Sequence, residues 1–61
     1  MKKLCYYLEA DEGTAAALNY IEKTFPVFTE LDLLENGYLE VTFVCREEDV
    51  RAIQVILAAY V

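Results

Sequence analysis

The sequence contains no histidine and no serine among its 61 residues. Histidine is the side chain that most often serves as a general base near neutral pH, and serine is a common nucleophile. Without them, the nucleophile–base pairs that most hydrolases and transferases depend on cannot be assembled. We therefore predict that the protein is not an enzyme.

Cysteine is also scarce, since Cys5 and Cys45 are the only two. Two cysteines are too few for a disulfide framework, and with no histidine they make a poor zinc ligand set. Lys3 is the nearest cation that could activate Cys5, but it lies two residues away on a strand and no base accompanies it. We predict two free thiols that behave as small apolar residues, in a reducing compartment, with no metal and no other cofactor.

Long apolar runs are absent as well. No stretch approaches the roughly 20 residues of a membrane span, and the apolar run after the basic start breaks at Glu9, too soon for a secretory signal. These absences favour a cytoplasmic protein. The net charge of −6, from eleven acidic and five basic residues, disfavours direct binding to nucleic acid or membrane and permits docking on a basic protein surface. Alternatively, the acidity only keeps a small domain soluble.

Apolar residues, in contrast, are abundant and make up 57% of the sequence. We interpret residues 1–61 as one domain, and a domain of this size buries only about 60% of the surface that its unfolded chain exposes. Domains this small are commonly stabilised by additional contacts, such as a partner subunit.

Helix caps, one proline and one tight-turn dipeptide divide the chain. Asp11 is a good helix N-cap, Pro26 ends a helix, and Asn36–Gly37 between apolar runs favours a two-residue type I′ hairpin turn. The predicted elements are a strand Lys2–Ala10, a helix Glu12–Phe25, strands Val27–Glu35 and Tyr38–Cys45, and a helix Glu47–Tyr60. This is an α+β fold of order β-α-β-β-α, the ferredoxin-like plan without its final strand. We predict sheet order 1-3-2, both helices on one face, and the first strand as a free edge.

Alternation along the strands assigns side chains to the two faces of the sheet. The predicted helix-covered core contains Leu4, Tyr6, Leu8, Val27, Thr29, Leu31, Leu33, Leu39, Val41, Phe43 and Cys45. The other face, here called the open face, mixes aromatic and acidic residues. We predict that it binds a partner protein through Tyr7, Phe28, Glu30, Asp32, Tyr38 and Glu40, because surface aromatics are typical interface anchors. An ordinary solvated sheet face is the alternative.

The second helix carries more apolar residues than a core-facing stripe requires. Its core arc is predicted to be Val50, Ile53, Ile56, Leu57, Tyr60 and Val61. Small or apolar residues flank that arc, and the first strand offers an unpaired edge. We predict a homodimer that covers both, with an interface of Leu4, Tyr6, Ala52, Val55 and Ala59. The alternative is that the alanines are only good helix formers.

Acidic residues cluster at the two predicted helix starts, in Glu9–Glu12 and Glu47–Asp49. Neither cluster has the spacing of a calcium loop. Acidic residues are favoured at helix N-termini, so we interpret both clusters as capping features.

In its shortness, acidity, lack of catalytic groups and surface aromatics among acids, the chain resembles the small phage-encoded anti-defence inhibitors of the anti-CRISPR and anti-Hachiman type. That class shares no motif, so the resemblance carries over no functional residue. It implies inhibition of a larger, nucleic-acid-handling host defence protein by occlusion, in the host cytoplasm.

The β-α-β-β-α plan also resembles an ACT-type regulatory domain without its last strand. Such domains bind amino acids near the first strand-to-helix loop, which here reads EADEGT. The acids in that loop would receive an ammonium group better than a carboxylate. A small-molecule-binding regulatory domain is therefore the alternative function.

Overall fold

A computed structural model of the chain describes residues 1–60. The strands are β1 (Lys2–Glu9), β2 (Phe28–Leu33) and β3 (Tyr38–Cys45), and the helices are α1 (Glu12–Thr24) and α2 (Val50–Leu57), with a short 3₁₀ turn at Glu47–Asp49 before α2. The predicted β-α-β-β-α order and α+β class are confirmed. Val61, which the sequence placed in the apolar arc of the second helix, lies outside the described residues.

The sheet has three strands in the order β1-β3-β2, and β3 pairs antiparallel with both neighbours. This confirms the predicted strand order and leaves β1 and β2 as edges. The register places Leu4 opposite Phe43 and Leu31 opposite Val41. The apolar alternation of all three strands therefore falls on the helix side, as the sequence pattern predicted.

The hairpin between β2 and β3 differs from the predicted type I′ turn. Such a turn needs positive φ at both central residues, but only Gly37 has one, at 84°, among the described residues. The Leu34 and Tyr38 backbones are hydrogen-bonded, and the Gly37 N–H donates to the Leu34 carbonyl. This is a three-residue loop that ends in a left-handed glycine, a common form of hairpin connection. The side chain of Asn36 accepts the Tyr38 N–H at 3.1 Å and supports it.

The extra loop residue determines which side chains share a face. A two-residue loop at Asn36–Gly37 would place Leu33 opposite Glu40, whereas the observed loop places it opposite Leu39. Because side chains alternate along a strand, a slip of one residue exchanges the two faces. The apolar pattern predicted the faces correctly, and the predicted turn was incompatible with them.

Helix α1 begins and ends at local signals in the sequence. The Asp11 carboxylate accepts the Thr14 N–H at 2.8 Å as an N-cap. The helix ends at Thr24, with Phe25 extended before Pro26, because the proline ring disfavours helical geometry in the residue before it. The buried face of α1 is formed by Thr14, Ala17, Leu18 and Ile21.

Helix α2 is shorter than predicted, and its start is held by a side-chain pair. Arg46 Nε donates to Asp49 Oδ2 at 2.8 Å, and the Asp49 residue is only 8% exposed. Ile53 and Leu57 are fully buried, and Val50 and Ile56 are half-buried. Tyr60 lies beyond the helix end and is 40% exposed. The prediction that it belongs to the core is therefore wrong.

The hydrophobic core lies between the helices and the two strands β1 and β3. Its buried members are Leu8, Leu18, Ile21, Val41, Phe43, Cys45, Ile53 and Leu57. The prediction that Leu31 and Leu33 are covered is wrong, since they are 56% and 68% exposed. Both point to the helix side, but no residue of β2 is buried. Strand parity fixes the direction of a side chain, but it does not fix whether a helix lies above it. Neither helix within residues 1–60 has the length and apolar character to cross a membrane.

Candidate functional site

The six residues of the predicted partner-binding face lie on the helix-free side of the sheet, as their parity requires. The cross-strand register arranges the open face in rows. One row runs Tyr7, Glu40, Asp32, because Glu40 on the central strand is opposite both of the others. Phe28 is opposite Val44, and Glu30 is opposite Thr42. The sequence thus identified a contiguous surface, and the register shows which of its members are neighbours.

Two carboxylates face each other across this surface. Asp32 and Glu40 are direct cross-strand partners, and like charges in that position destabilise a sheet. The two ion pairs within residues 1–60 both use Arg46, which lies after β3. Neither Asp32 nor Glu40 is therefore paired with a base. Their negative potential is directed outward, and a positively charged group from outside would relieve it.

A tyrosine partly satisfies one of these carboxylates. The Tyr7 hydroxyl donates to Glu40 Oε2 at 3.0 Å. That hydrogen bond, together with the negative charge of Glu40, raises the pKa of Tyr7 above its usual value. The phenol therefore stays protonated and remains a donor at neutral pH, and Tyr7 and Glu40 form a linked polar contact in the middle of the open face.

The aromatic residues of the open face are well exposed. Phe28 is 72% exposed, Tyr7 57% and Tyr38 39%. Solvent-exposed aromatics of this kind supply a large contact area at low entropic cost when a partner covers them. Lys3, at the far end of β1, is the one basic residue that strand parity places on this face.

A shallow hollow of about 290 Å³ lies beside the carboxylate pair and is lined by Glu30, Leu31, Asp32, Glu40 and Thr42. Three acids around a hollow raise the question of a metal ion. Within residues 1–60, however, no three His, Cys, Asp or Glu side chains are grouped closely enough to hold one. The hollow is better suited to an extended cationic side chain than to a coordinated ion.

The two cysteines occupy opposite faces of the sheet. Cys5 is exposed, Cys45 is buried, and both are free thiols. Burial, with a smaller contribution from the charge of Asp49, raises the pKa of the Cys45 thiol. A raised pKa lowers the thiolate fraction, so Cys45 is a core residue and not a reactive one.

The five predicted dimer-interface residues fall into two groups. Leu4 and Tyr6 are half-buried and pack against the core, where the ring of Tyr6 meets that of Phe43 edge-on at 6.2 Å. The free edge of β1 therefore offers mainly backbone groups. On α2, Ala52 and Ala59 are exposed and Val55 is 66% exposed, so the apolar flank that the sequence predicted is present and uncovered.

The sequence did not predict the lining of a second concave region, although the ACT-type resemblance placed a ligand near the same strand-to-helix loop. A cleft of about 400 Å³ opens where β1 ends and α1 begins, and it is lined by Tyr7, Glu9, Asp11, Thr14, Tyr38, Ala59 and Tyr60. Tyr60 approaches Gly13 so closely that a Cβ there would lie 3.3 Å from Tyr60 Cε1. The glycine next to the helix start was the only sequence signal of this contact. Sequence periodicity assigned Tyr60 to the core instead.

Comparison of the chain with protein-family profiles, with curated proteins and with solved structures found no significant match to any of the three.

Proposed function

We propose that the protein is a non-enzymatic binding module that docks its open face on a basic surface of a larger protein. The observation that supports this most directly is the unpaired Asp32–Glu40 row among exposed aromatics. A like-charge cross-strand pair lowers stability, and this pair lies beside the exposed Tyr7 and near Tyr38, which favours contact with a cationic partner.

We propose further that docking acts by occlusion. A basic surface on a protein commonly serves to bind nucleic acid. An acidic domain of net charge −6 seated on such a surface excludes the phosphate backbone sterically and by repulsion. Inhibition of a nucleic-acid-handling host defence protein is the specific form of this proposal.

The test is capture of the partner from a lysate of the native host, with mass spectrometry of the recovered protein. The double substitution Phe28→Ala and Tyr38→Ala should abolish capture of a stoichiometric basic protein while the domain stays folded. Tyr20→Ala is the matched control, because Tyr20 is 55% exposed but lies on α1. The captured protein should also lose nucleic-acid binding when the domain is added. Equal capture by the double variant would show that another surface is used.

We also propose that the protein forms a homodimer through the edge of β1 and the uncovered flank of α2. Val55 supports this, because it is an apolar, β-branched residue that is two-thirds exposed and makes no contribution to the core. A dimer would bury it, and pairing of the two β1 edges would join two sheets of three strands into one of six.

Light scattering tests the dimer directly, since the monomer has a mass of 7.0 kDa. Val55→Glu should shift the assembly toward monomer, whereas Gln54→Glu, an equal charge change on the neighbouring exposed position, should not. A mass near that of the monomer at all concentrations would exclude the dimer. An equal response to both substitutions would show that net charge, and not the Val55 contact, controls assembly.

A regulatory domain that binds an amino acid is the second candidate. The cleft favours it by position, because Asp11 and Thr14 belong to the first strand-to-helix connection. Its carboxylates disfavour the ligand's own carboxylate. A rise in melting temperature with one amino acid, and none with its amine analogue, would support this candidate over the protein-binding module.

A further inference from the structure

We propose that the cleft between β1 and α1 is a receptor for one organic cation, a guanidinium or alkylammonium group. The further statement that this cation is an arginine or lysine side chain of a partner protein rests on the proposed docking function. The capacity to bind the cation rests on the cleft alone.

Three tyrosines make the cleft suitable for a cation. Tyr7, Tyr38 and Tyr60 all line it, and they come from β1, β3 and the segment after α2, so they enclose it from separate parts of the fold. An aromatic ring attracts a cation through the negative potential of its face, by about 0.5–1 kcal/mol at an exposed site and more where the cation is desolvated. Three rings along one cleft offer a cation more than one contact of this kind.

Two carboxylates give the cleft its charge. Glu9 lies opposite Tyr38 in the sheet register, and Asp11 is the N-cap of α1. No lysine or arginine lines the cleft, and neither carboxylate belongs to the ion pairs of the described chain. The cleft therefore holds negative charge that no basic residue within positions 1–60 neutralises.

The start of α1 would by itself favour an anion, because a helix N-terminus carries partial positive charge. Two acids offset it here. Asp11 accepts the Thr14 N–H, and Glu12 occupies the first turn. With the helix end satisfied in this way, Glu9 and the tyrosine rings decide the preference of the cleft.

Other ligand classes fit less well. An anion would be repelled by both carboxylates. A metal ion would need a set of ligands that the described residues do not bring together. A neutral apolar group would leave the carboxylates without a partner, so an organic cation that also contacts the rings uses both features of the lining.

The experiment is a titration followed by ¹H–¹⁵N NMR, with methylguanidinium and butylammonium as cationic probes and methylurea as the neutral analogue of methylguanidinium. Shifts should concentrate at the backbone amides of the cleft with either cation and should be absent with methylurea. Glu9→Gln and Tyr60→Ala should each weaken binding about two- to fivefold. Glu22→Gln and Tyr20→Ala, which alter the same residue types outside the cleft, should leave it unchanged.

Three results would overturn the inference: binding of methylurea as strong as that of methylguanidinium, shifts spread evenly over all acidic residues, or equal weakening by Glu22→Gln and Glu9→Gln. The source of the cation is decided by adding Glu9→Gln and Tyr60→Ala to the capture experiment. Loss of the captured protein supports a partner side chain. Full capture with cleft variants, together with loss through Phe28→Ala, which alters the open face outside the cleft, would retain the docking function and refute the partner side chain as the source. Probe binding without any captured protein would refute the docking function and leave a receptor for a free small cation.

Discussion

Replacing Asp32 with asparagine should make the isolated protein more stable. Asp32 is directly opposite Glu40 on the open face, and it has no basic partner among the described residues. Cross-strand pairs contribute about 0.2–1 kcal/mol to stability, and like charges act in the unfavourable sense. Asparagine keeps the size of the side chain and removes the repulsion. The Tyr7–Glu40 hydrogen bond is left intact, which makes Asp32 a cleaner site of change than Glu40.

The expected gain in the free energy of unfolding is therefore a few tenths to about 1 kcal/mol, or roughly 1–8 °C in melting temperature for a domain of this size. Urea denaturation at low ionic strength measures it. The gain should largely disappear in 1 M NaCl, where the screening length falls to about 3 Å. At low salt the same substitution should weaken binding of the basic partner.

Glu30→Gln is the matched control for this prediction. It makes the same change in net charge on the same strand and face, but Glu30 is opposite Thr42 and not a carboxylate. A similar gain from Glu30→Gln would mean that net charge is responsible. A loss of stability in Asp32→Asn, or a gain that persists in 1 M NaCl, would refute the proposed repulsion between Asp32 and Glu40.

Further predictions concern the hairpin, the start of α2 and the buried thiol. Gly37→Ala should lower the free energy of unfolding by about 1–2 kcal/mol, because φ is 84° there and a Cβ disfavours that conformation; urea denaturation at pH 7 measures this, and no change would mean that the loop rearranges freely. Asp49→Ala should lower the free energy of unfolding by about 1–2 kcal/mol, since it removes the 2.8 Å hydrogen bond from Arg46. Glu48→Ala should change it by less than about 0.5 kcal/mol, because Glu48 lies 3.9 Å from Arg46 Nη1 and its side chain is 72% exposed; equal effects would contradict the assignment. Burial raises the pKa of the Cys45 thiol in the folded chain. The contribution of the buried thiol to stability is therefore complete below the thiol pKa of the unfolded chain and is lost as pH rises through the raised value. The free energy of unfolding, measured from pH 7 to 10.5, should fall less steeply in Cys45→Val than in the original protein.

Much of the fold could be predicted from the sequence because its signals are local and agree with one another. The Asp11 cap, the break at Pro26 and the alternation of Tyr38–Cys45 each fix one element. Sheet order followed from the ferredoxin-like plan, which places β3 between β1 and β2, and from the β-branched and aromatic residues of β3, which suit a central strand. The hairpin loop shows the limit of this reasoning. Asn-Gly is compatible with more than one turn, and only the apolar register of the flanking strands distinguished between them.

A candidate site could be predicted where its residues follow from the alternation of side chains along a strand, and could not where they come from packing between distant segments. The open face follows from alternation, so the sequence could place its six residues on one side of the sheet. The cleft depends on where the segment after α2 lies against the α1 start, and no local pattern encodes that packing. Leu31 and Leu33 were assigned to the core for a related reason, since the lateral position of a helix above a sheet is a tertiary property.

The central position of β3 has a consequence for how the chain is made. All of the cross-strand hydrogen bonds of β1 are to β3, and the outermost pair joins Lys2 to Cys45. During synthesis the apolar LCYYL segment of β1 therefore has no pairing partner until β3, which follows α1 and β2 in the chain, has emerged from the ribosome as well. The hairpin of β2 and β3 can close locally, whereas β1 must wait for β3. A chaperone that recognises extended apolar segments would therefore have its longest access to β1.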